Sequence, residues 1–191
     1  MNEDDRLLRW VVEALERSKI AYMICGSLAS SLYGRARATN DVDVVIDPTT
    51  KQLDEFLRCV PEPYYVSPEA ATDALARRGM FNAVDPPVGA KVDLVIRKER
   101  SFSVQELSRR RRLSFTSGTA FFASPEDVIL SKLEWAGLGG SDRQLDDAAH
   151  VVRVQGSALD VDYLRRWAND LGVSKSLELV LNSMPSDTDT A

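Results

Sequence analysis

Hydrophobic positions in the first two-thirds of the chain switch between the repeat of an amphipathic helix and that of a strand. Residues 4–18 carry apolar side chains at helical spacing, and residues 20–25 form a short apolar run typical of a buried strand. A short helix over 27–34 and a strand over 41–47 follow. The same reasoning predicts a helix at 49–60, capped by Thr49 or Thr50, and a helix at 67–79, capped by Ser67. It predicts strands at 64–66, 80–84, 90–96, 111–115 and 119–123.

From Ser124 onward the pattern is helical throughout. Ser124 and Pro125, followed by acidic residues in the first turn, are typical of a helix start. Three more amphipathic segments follow, at 142–154, 161–171 and 174–184. We therefore predict an α/β (α+β) core over 1–123 with a mixed central sheet flanked by helices. A helical C-terminal region over 124–183 packs on that core, and 184–191 is a disordered tail.

Composition narrows the class of protein. The chain has 191 residues, 44% hydrophobic and 28% charged, which is ordinary for a soluble domain. A net charge of −5 argues against a general nucleic-acid-coating protein. The acidic start is unlike a secretory signal, and no uncharged apolar run is long enough to cross a membrane, so we expect a cytoplasmic protein without a membrane partner. Two cysteines and one histidine exclude a disulfide scaffold and a His-rich zinc site.

Three aspartates interrupt otherwise apolar predicted strands. Asp41 and Asp43 are two residues apart, so strand alternation places them on one face, and Asp93 is centred in another apolar run. Two carboxylates about 4 Å apart repel by roughly 4 kcal/mol at an effective dielectric near 20. Mg²⁺, which prefers carboxylate oxygens, water and phosphate, relieves that repulsion, and two such ions can clamp an in-line phosphoryl displacement.

Gly26 and Ser27 supply a complementary feature at the junction between a predicted strand and helix. A small residue lets backbone approach a phosphate, and amides at a helix start accept an anion. The sequence thus predicts phosphates held at the helix start and metal ions on the next strand.

This arrangement resembles the DNA polymerase β-like nucleotidyltransferase superfamily, whose signature is a Gly-Gly or Gly-Ser turn, an Asp-x-Asp pair and a carboxylate on a later strand. The chain looks closest to small prokaryotic AbiEii-like members. The resemblance spans roughly residues 20–150 and includes the run from Arg37 to Asp43 and a Pro-Glu-Asp helix from Pro125 to Lys132. The chain has Cys25 before Gly26-Ser27, where the commonest family form is Gly-Gly-Ser.

The resemblance implies the nucleotidyltransferase fold and transfer of a nucleoside monophosphate from an NTP, with ATP the expected donor. Gly26 and Ser27 would bind the β and γ phosphates, and Asp41 and Asp43 would coordinate two Mg²⁺ ions, for which Mn²⁺ could substitute. Asp93 would hold the catalytic metal and help to deprotonate the acceptor. Arg37 and Lys132 are candidates for further nucleotide ligands. The alternatives are a solvated loop charge for Arg37 and an exposed helical lysine for Lys132.

The sequence leaves three classes of acceptor: a protein, a tRNA or a small molecule. The net negative charge of the chain disfavours tRNA. The family also implies a role in a toxin–antitoxin module with a protein partner. The alternative is a non-catalytic member of the same fold that binds nucleotide or another protein. A Ser27-based hydrolase fails because His150 is the only histidine.

Three other features have ordinary structural explanations. The run Arg109–Arg112 fits a solvated sheet edge better than a nucleic-acid patch. Asp47 fits the start of a turn better than a fourth member of the carboxylate cluster. The three tryptophans, Trp10, Trp135 and Trp167, are expected to pack between helices.

Overall fold

The computed structural model describes residues 3–35, 41–115, 118–139 and 141–182, and for residues 3–5 and Asp41 it describes the backbone alone. The chain forms two compact units. The first comprises Met1–Cys25 and Thr39–Ala123, and the second comprises Gly26–Ala38 and Ser124–Ala191. The predicted tail at 184–191 lies outside the described residues.

The first unit is built on one mixed sheet, as predicted. Its strands are β1 (Ala21–Cys25), β2 (Asp41–Asp47), β3 (Tyr65–Val66), β4 (Met80–Asp85), β5 (Ala90–Ile96), β6 (Arg111–Phe115) and β7 (Gly118–Phe122). Their order across the sheet is β3-β4-β5-β2-β1-β7-β6. Strand β2 is antiparallel to β1 and parallel to β5, and β5 is antiparallel to β4.

Four helices accompany this sheet in the described part of the first unit: α1 (Glu3–Arg17), α3 (Thr50–Arg58), α4 (Pro68–Arg77) and α5 (Ser101–Ser108). The predicted caps are present, since the Thr49 and Ser67 side chains accept from Gln52 N and Ala70 N. Helix α5 was not predicted from the sequence. It is only eight residues long, and Arg100 before it makes no side-chain cap bond, so the usual start signals are missing.

One face of the sheet forms the hydrophobic core of this unit. Alternate residues of β2 and β5, such as Val44, Ile46 and Leu94, are fully buried, as are Leu7 and Val11 of α1, which packs against β5 and β4. Burying each such aliphatic side chain contributes roughly 1.5–3 kcal/mol. Since strand alternation commits these positions to the core, the residues between them lie on the opposite, more open face.

The second unit is helical. It contains α2 (Gly26–Tyr33), α6 (Pro125–Gly139), α7 (Asp142–Gln155), a 3₁₀ turn (Gly156–Ala158), α8 (Val161–Asp170) and α9 (Ser174–Leu181). Helix α2 packs against α6 and α7 although it follows β1 in sequence. Gly34 allows this approach, because a Cβ there would lie 3.1 Å from Val151 N, and Gln155 Nε2 donates to Tyr33 O at 2.9 Å. In the described ranges, no helix has the length and apolar character needed to cross a membrane.

Candidate active site

A row of polar side chains crosses the open face of the sheet in the first unit. Cys25 on β1 is the register partner of Asp43 on β2, Asp43 is the partner of Asp93 on β5, and Asp93 is the partner of Asn82 on β4. Partners in register extend from the same face of a sheet, and neighbouring strands are about 4.8 Å apart. The two aspartates are therefore adjacent, as the sequence predicted.

Asp93 is held on both carboxylate oxygens. Asn82 Nδ2 donates to its Oδ1, and Lys91 Nζ donates to its Oδ2 at 3.1 Å. The Asp93 side chain is 12% exposed, whereas that of Lys91 is 39% exposed. Hydrogen bonds of this kind fix the orientation of a ligand carboxylate, and the ammonium offsets part of its charge. Neither Asn82 nor Lys91 was singled out in the sequence, because only the pairing of β4 with β5 and the strand alternation reveal them.

Asp43 occupies the half-buried centre of the row, and its backbone carbonyl accepts a hydrogen bond from the Cys25 thiol at 3.5 Å. Cys25 is the last residue of β1, and Gly26 follows it as the first residue of α2. Gly26 has φ +61°, a left-handed conformation that glycine adopts without a Cβ penalty. Ser27 lies in the first turn of α2, where Ser30 Oγ donates to its carbonyl at 3.0 Å.

The fit of a divalent metal depends on the oxygen donors that this row supplies. Asp41 precedes Asp43 by two residues on β2, and its backbone is in register with Lys91. Carboxylate oxygens are the ligands that Mg²⁺ and Mn²⁺ prefer, so Asp43 and Asp93, with Asp41, suit such an ion. Among the side chains that the structure describes, which do not include Asp41, no group of three or more acidic, cysteine or histidine residues forms a metal site. The predicted three-aspartate centre therefore stays a prediction.

The two other predicted nucleotide ligands differ in what the structure shows of them. Arg37 lies outside the described residues. Lys132 is only 4% exposed, so the alternative of an exposed helical lysine is wrong. Its Nζ donates to Asp147 Oδ2 at 2.8 Å, an ion pair between α6 and α7. A role of Lys132 toward phosphate stays a prediction.

The Pro-Glu-Asp motif at the start of α6 belongs to a buried polar network of the second unit. Ser124 Oγ donates to Asp127 Oδ2 at 2.6 Å, and Tyr163 OH donates to Asp127 Oδ1. Glu126 Oε1 accepts from Asp160 N at 3.3 Å, next to the cap of α8. The motif therefore anchors α8 to α6, which the sequence did not disclose because the partners are more than thirty residues apart.

Asp47 forms a separate ion cluster at the end of β2. Arg97 Nε donates to its Oδ2 at 2.9 Å, and Arg78 Nη1 lies 3.5 Å from its Oδ1. Arg78 also pairs with Glu99. These partners are 31 and 50 residues away, so the sequence indicated only the turn that Asp47 precedes.

Half of the arginine run lies at a sheet edge, as expected, whereas Arg109 and Arg110 are half-buried between α5 and β6. Arg111 and Arg112 are exposed on β6, an edge strand of the described sheet. The Arg110 and Arg112 guanidiniums lie 4.9 and 5.8 Å from the centroid of the Phe121 ring. Among the tryptophans, Trp10 packs against Phe56 and Tyr64. Trp135 is 61% exposed, so the packing predicted for it is wrong.

Solved structures with a similar fold are nucleotidyltransferase-like proteins. An antigenic nucleotidyltransferase-like protein from Paracoccidioides brasiliensis is 17% identical, with a TM-score of 0.58 over 95% of this chain and 93% of its own. ANT(2″)-Ia in complex with adenylyl-2″-tobramycin is 13% identical, with a TM-score of 0.59 over 88% of this chain and 98% of its own. The lincosamide antibiotic adenylyltransferase LnuA, lincomycin-bound, is 12% identical, with a TM-score of 0.51 over 81% of this chain and 98% of its own.

No model of a known protein family matches the sequence, and no curated protein matches it. At such low identity the structural likeness establishes the fold. The chain has a nucleotidyltransferase fold, as the resemblance of its motifs predicted. The narrower assignment to AbiEii-like proteins stays a prediction.

Proposed function

We propose that this protein is a metal-dependent nucleotidyltransferase that moves a nucleoside monophosphate from an NTP to an acceptor hydroxyl. The observation that carries the proposal is the pairing of Asp43 with Asp93 on adjacent parallel strands of a nucleotidyltransferase fold. A scaffold protein gains nothing from two neighbouring carboxylates on an open sheet face, because their repulsion opposes folding.

In this proposal, Asp41, Asp43 and Asp93 would hold one or two Mg²⁺ ions. The ions would neutralise the charge that develops on the phosphate oxygens. The acceptor oxygen forms a bond to the α phosphorus while the bond to the β-phosphate bridge breaks, and pyrophosphate leaves. Asp93, oriented by Asn82, takes the proton of the acceptor hydroxyl.

The phosphate ligands in this proposal are Gly26, Ser27 and Arg37. The backbone amides at the start of α2 and the Ser27 hydroxyl would donate to the β and γ phosphates. Because Gly26 has a positive φ, any side chain at this position is strained, which favours glycine where backbone must approach an anion. Lys132 could contribute only if its ammonium left Asp147 or was shared with it.

The acceptor classes are a small molecule, a protein and a tRNA. We place the small molecule first, because two proteins with this fold have structures with adenylyl-2″-tobramycin and lincomycin. A protein or tRNA acceptor would fit the toxin role in a toxin–antitoxin module, in which a second protein is the partner.

One observation favours a second candidate, a non-catalytic nucleotide-binding or protein-interaction member of the fold. Both oxygens of Asp93 already accept hydrogen bonds from Asn82 and Lys91, so this carboxylate is satisfied without a metal ion. The two candidates predict different results in a transfer assay, because only the enzyme would move a nucleoside monophosphate from an NTP to an acceptor.

The deciding experiment is a transfer assay. Purified protein, Mg²⁺ and each of four α-³²P-labelled NTPs are mixed with the protein, tRNA and small-molecule fractions of a cell extract. Wild-type protein should label one fraction, and Asp43→Asn should not. The matched control is Asp47→Asn, which changes the same strand and the same charge but alters the Arg97 ion pair instead.

Label with the wild type and with Asp47→Asn, but not with Asp43→Asn, establishes transfer and identifies the acceptor class. Equal labelling by all three proteins overturns the proposal. Absence of label with wild type that nevertheless binds NTP favours the non-catalytic candidate.

A further inference from the structure

Lys91 places a positive charge beside the two aspartates in the row of polar side chains on the sheet. It precedes Asp93 by two residues on β5, so both side chains extend from the same face, and its backbone is in register with Asp41 on β2. The ammonium lies 3.1 Å from Asp93 Oδ2. A lysine is thus bonded to a carboxylate that the proposed function assigns to a metal ion.

A divalent cation at Asp93 and the Lys91 ammonium compete for the same negative charge. Asn82 donates to Oδ1 and Lys91 donates to Oδ2, so a metal ion that binds Oδ2 takes the place of the ammonium. Even at a different lone pair, a metal ion would lie within a few ångströms of the ammonium, and like charges at that distance repel.

We propose that Lys91 is the internal counter-ion of Asp43 and Asp93, and that a divalent metal ion binds Asp93 only by displacing the Lys91 ammonium. This inference rests on the proposed function for the identity of the metal ligands. The flexible four-carbon stem and the 39% exposure of Lys91 allow the ammonium to move into solvent. Lys91 therefore stabilises the metal-free protein and weakens its affinity for the metal.

These two effects have opposite signs, which separates this role from a merely structural one. Removal of Lys91 should lower the unfolding midpoint in EDTA, because Asp43 and Asp93 then face each other without the ammonium. The same change should tighten metal binding by about three- to tenfold, a range that allows for solvent screening of a partly exposed pair. A residue with only a packing role would weaken both properties.

The test uses Lys91→Met, with Lys98→Met as the matched control. Lys98 is exposed and beyond the end of β5, so its substitution removes the same charge from the chain. Mn²⁺ affinity is measured by calorimetry without nucleotide, and thermal unfolding is followed in EDTA and in Mn²⁺. We expect tighter Mn²⁺ binding and a lower midpoint in EDTA for Lys91→Met alone, and near wild-type values for Lys91→Arg, which keeps the charge.

Unchanged or weaker Mn²⁺ binding by Lys91→Met overturns the inference. It is also overturned if neither the wild type nor any of the variants binds Mn²⁺. If Lys91→Met is unfolded in EDTA, recovery of its fold by Mn²⁺ supports the inference and failure to recover opposes it. The proposed function is judged separately by NMP transfer in the wild type. A protein that transfers no label but shows the affinity change keeps the counter-ion role and loses the enzymatic one.

Discussion

Asp43 on β2 and Asp93 on β5 are register partners on adjacent parallel strands. Each has fully buried aliphatic residues beside it in sequence, Val44 and Leu94, which face the core. The core thus fixes both strands, and alternation fixes both carboxylates on the opposite face. A one-residue slip of either strand would expose the core residues, so the spacing of the carboxylates is protected by hydrophobic burial.

The Asn82 amide should matter for the rate of transfer more than for stability. Asn82→Leu removes the hydrogen bond to Asp93 Oδ1 while it preserves the approximate side-chain volume. Loss of a bond that orients a metal-ligating group typically costs about 10- to 100-fold in activity or metal affinity. Steady-state transfer rates over a Mg²⁺ titration measure this loss. A full rate at every Mg²⁺ concentration would show that Asn82 does not position Asp93.

Tyr163 should stabilise the second unit without contributing to chemistry. Its hydroxyl donates to Asp127 Oδ1, and Asp127 is fully buried. Tyr163→Phe leaves that oxygen without this donor and should reduce the free energy of unfolding by about 1–3 kcal/mol. Urea denaturation measures the change, with Tyr65→Phe as control because Tyr65 is 56% exposed. Equal stability of Tyr163→Phe and wild type would contradict the importance of this network.

The Lys132–Asp147 pair can be assigned to structure or to nucleotide binding with a double-mutant cycle. The side chains are 5% and 16% exposed, so Lys132→Met leaves a carboxylate without this partner and should destabilise the fold by about 3 kcal/mol. Lys132→Met with Asp147→Leu should restore most of that loss, because the buried carboxylate is removed together with the ammonium. Urea denaturation of the wild type, both single variants and the double variant measures the cycle.

The affinity for NTP is the second readout of the same variants. If the double variant is folded and binds NTP as the wild type does, Lys132 has a structural role alone. Weaker NTP binding by a stable double variant would support the predicted contact with phosphate.

Tyr22 should make stability fall at high pH. Burial, and then the nearby Glu16 carboxylate, raise the pKa of Tyr22 above the ordinary value of 10.0. The Tyr22 hydroxyl donates a hydrogen bond to Glu16 Oε1 at 3.0 Å. A raised pKa favours the neutral phenol in the folded state, so this contribution is complete below pH 10 and is lost as pH rises toward the folded pKa.

The difference in unfolding free energy between wild type and Tyr22→Phe should therefore shrink above pH 10. For one group the slope is at most about 1.4 kcal/mol per pH unit. Urea denaturation at pH 8, 10 and 11 measures it. A difference that stays constant over this range would show that Tyr22 does not carry the dependence.

Local chain chemistry was enough to predict most elements of the fold. The Thr49 and Ser67 caps, the apolar stripe of α1 and the alternation in β2 are short-range patterns, and each element forms where they predicted it. Asp43 and Asp93 were also predictable as a pair, because aspartate within an apolar strand is rare enough to stand out. Helix α5 was not predicted from the sequence, because it is short and lacks a side-chain cap.

The partners of those residues could not be predicted in the same way. Asn82 and Lys91 around Asp93, Arg97 and Arg78 around Asp47, and Asp147 beside Lys132 are ordinary polar residues in sequence. Nothing in their local pattern distinguishes them from solvated side chains. Their roles follow from strand register and helix packing, which depend on many distant contacts at once.

The sequence by itself determined which segments form strands and helices and which carboxylates interrupt the apolar strands, because hydrophobic periodicity and backbone caps act over a few residues. The tertiary structure alone decided that α2 groups with the C-terminal helices and that Lys91 and Asn82 hold Asp93. These relationships arise from burial and register between distant segments. Such long-range pairing is set by the free energy of the whole fold, which no short stretch of sequence specifies.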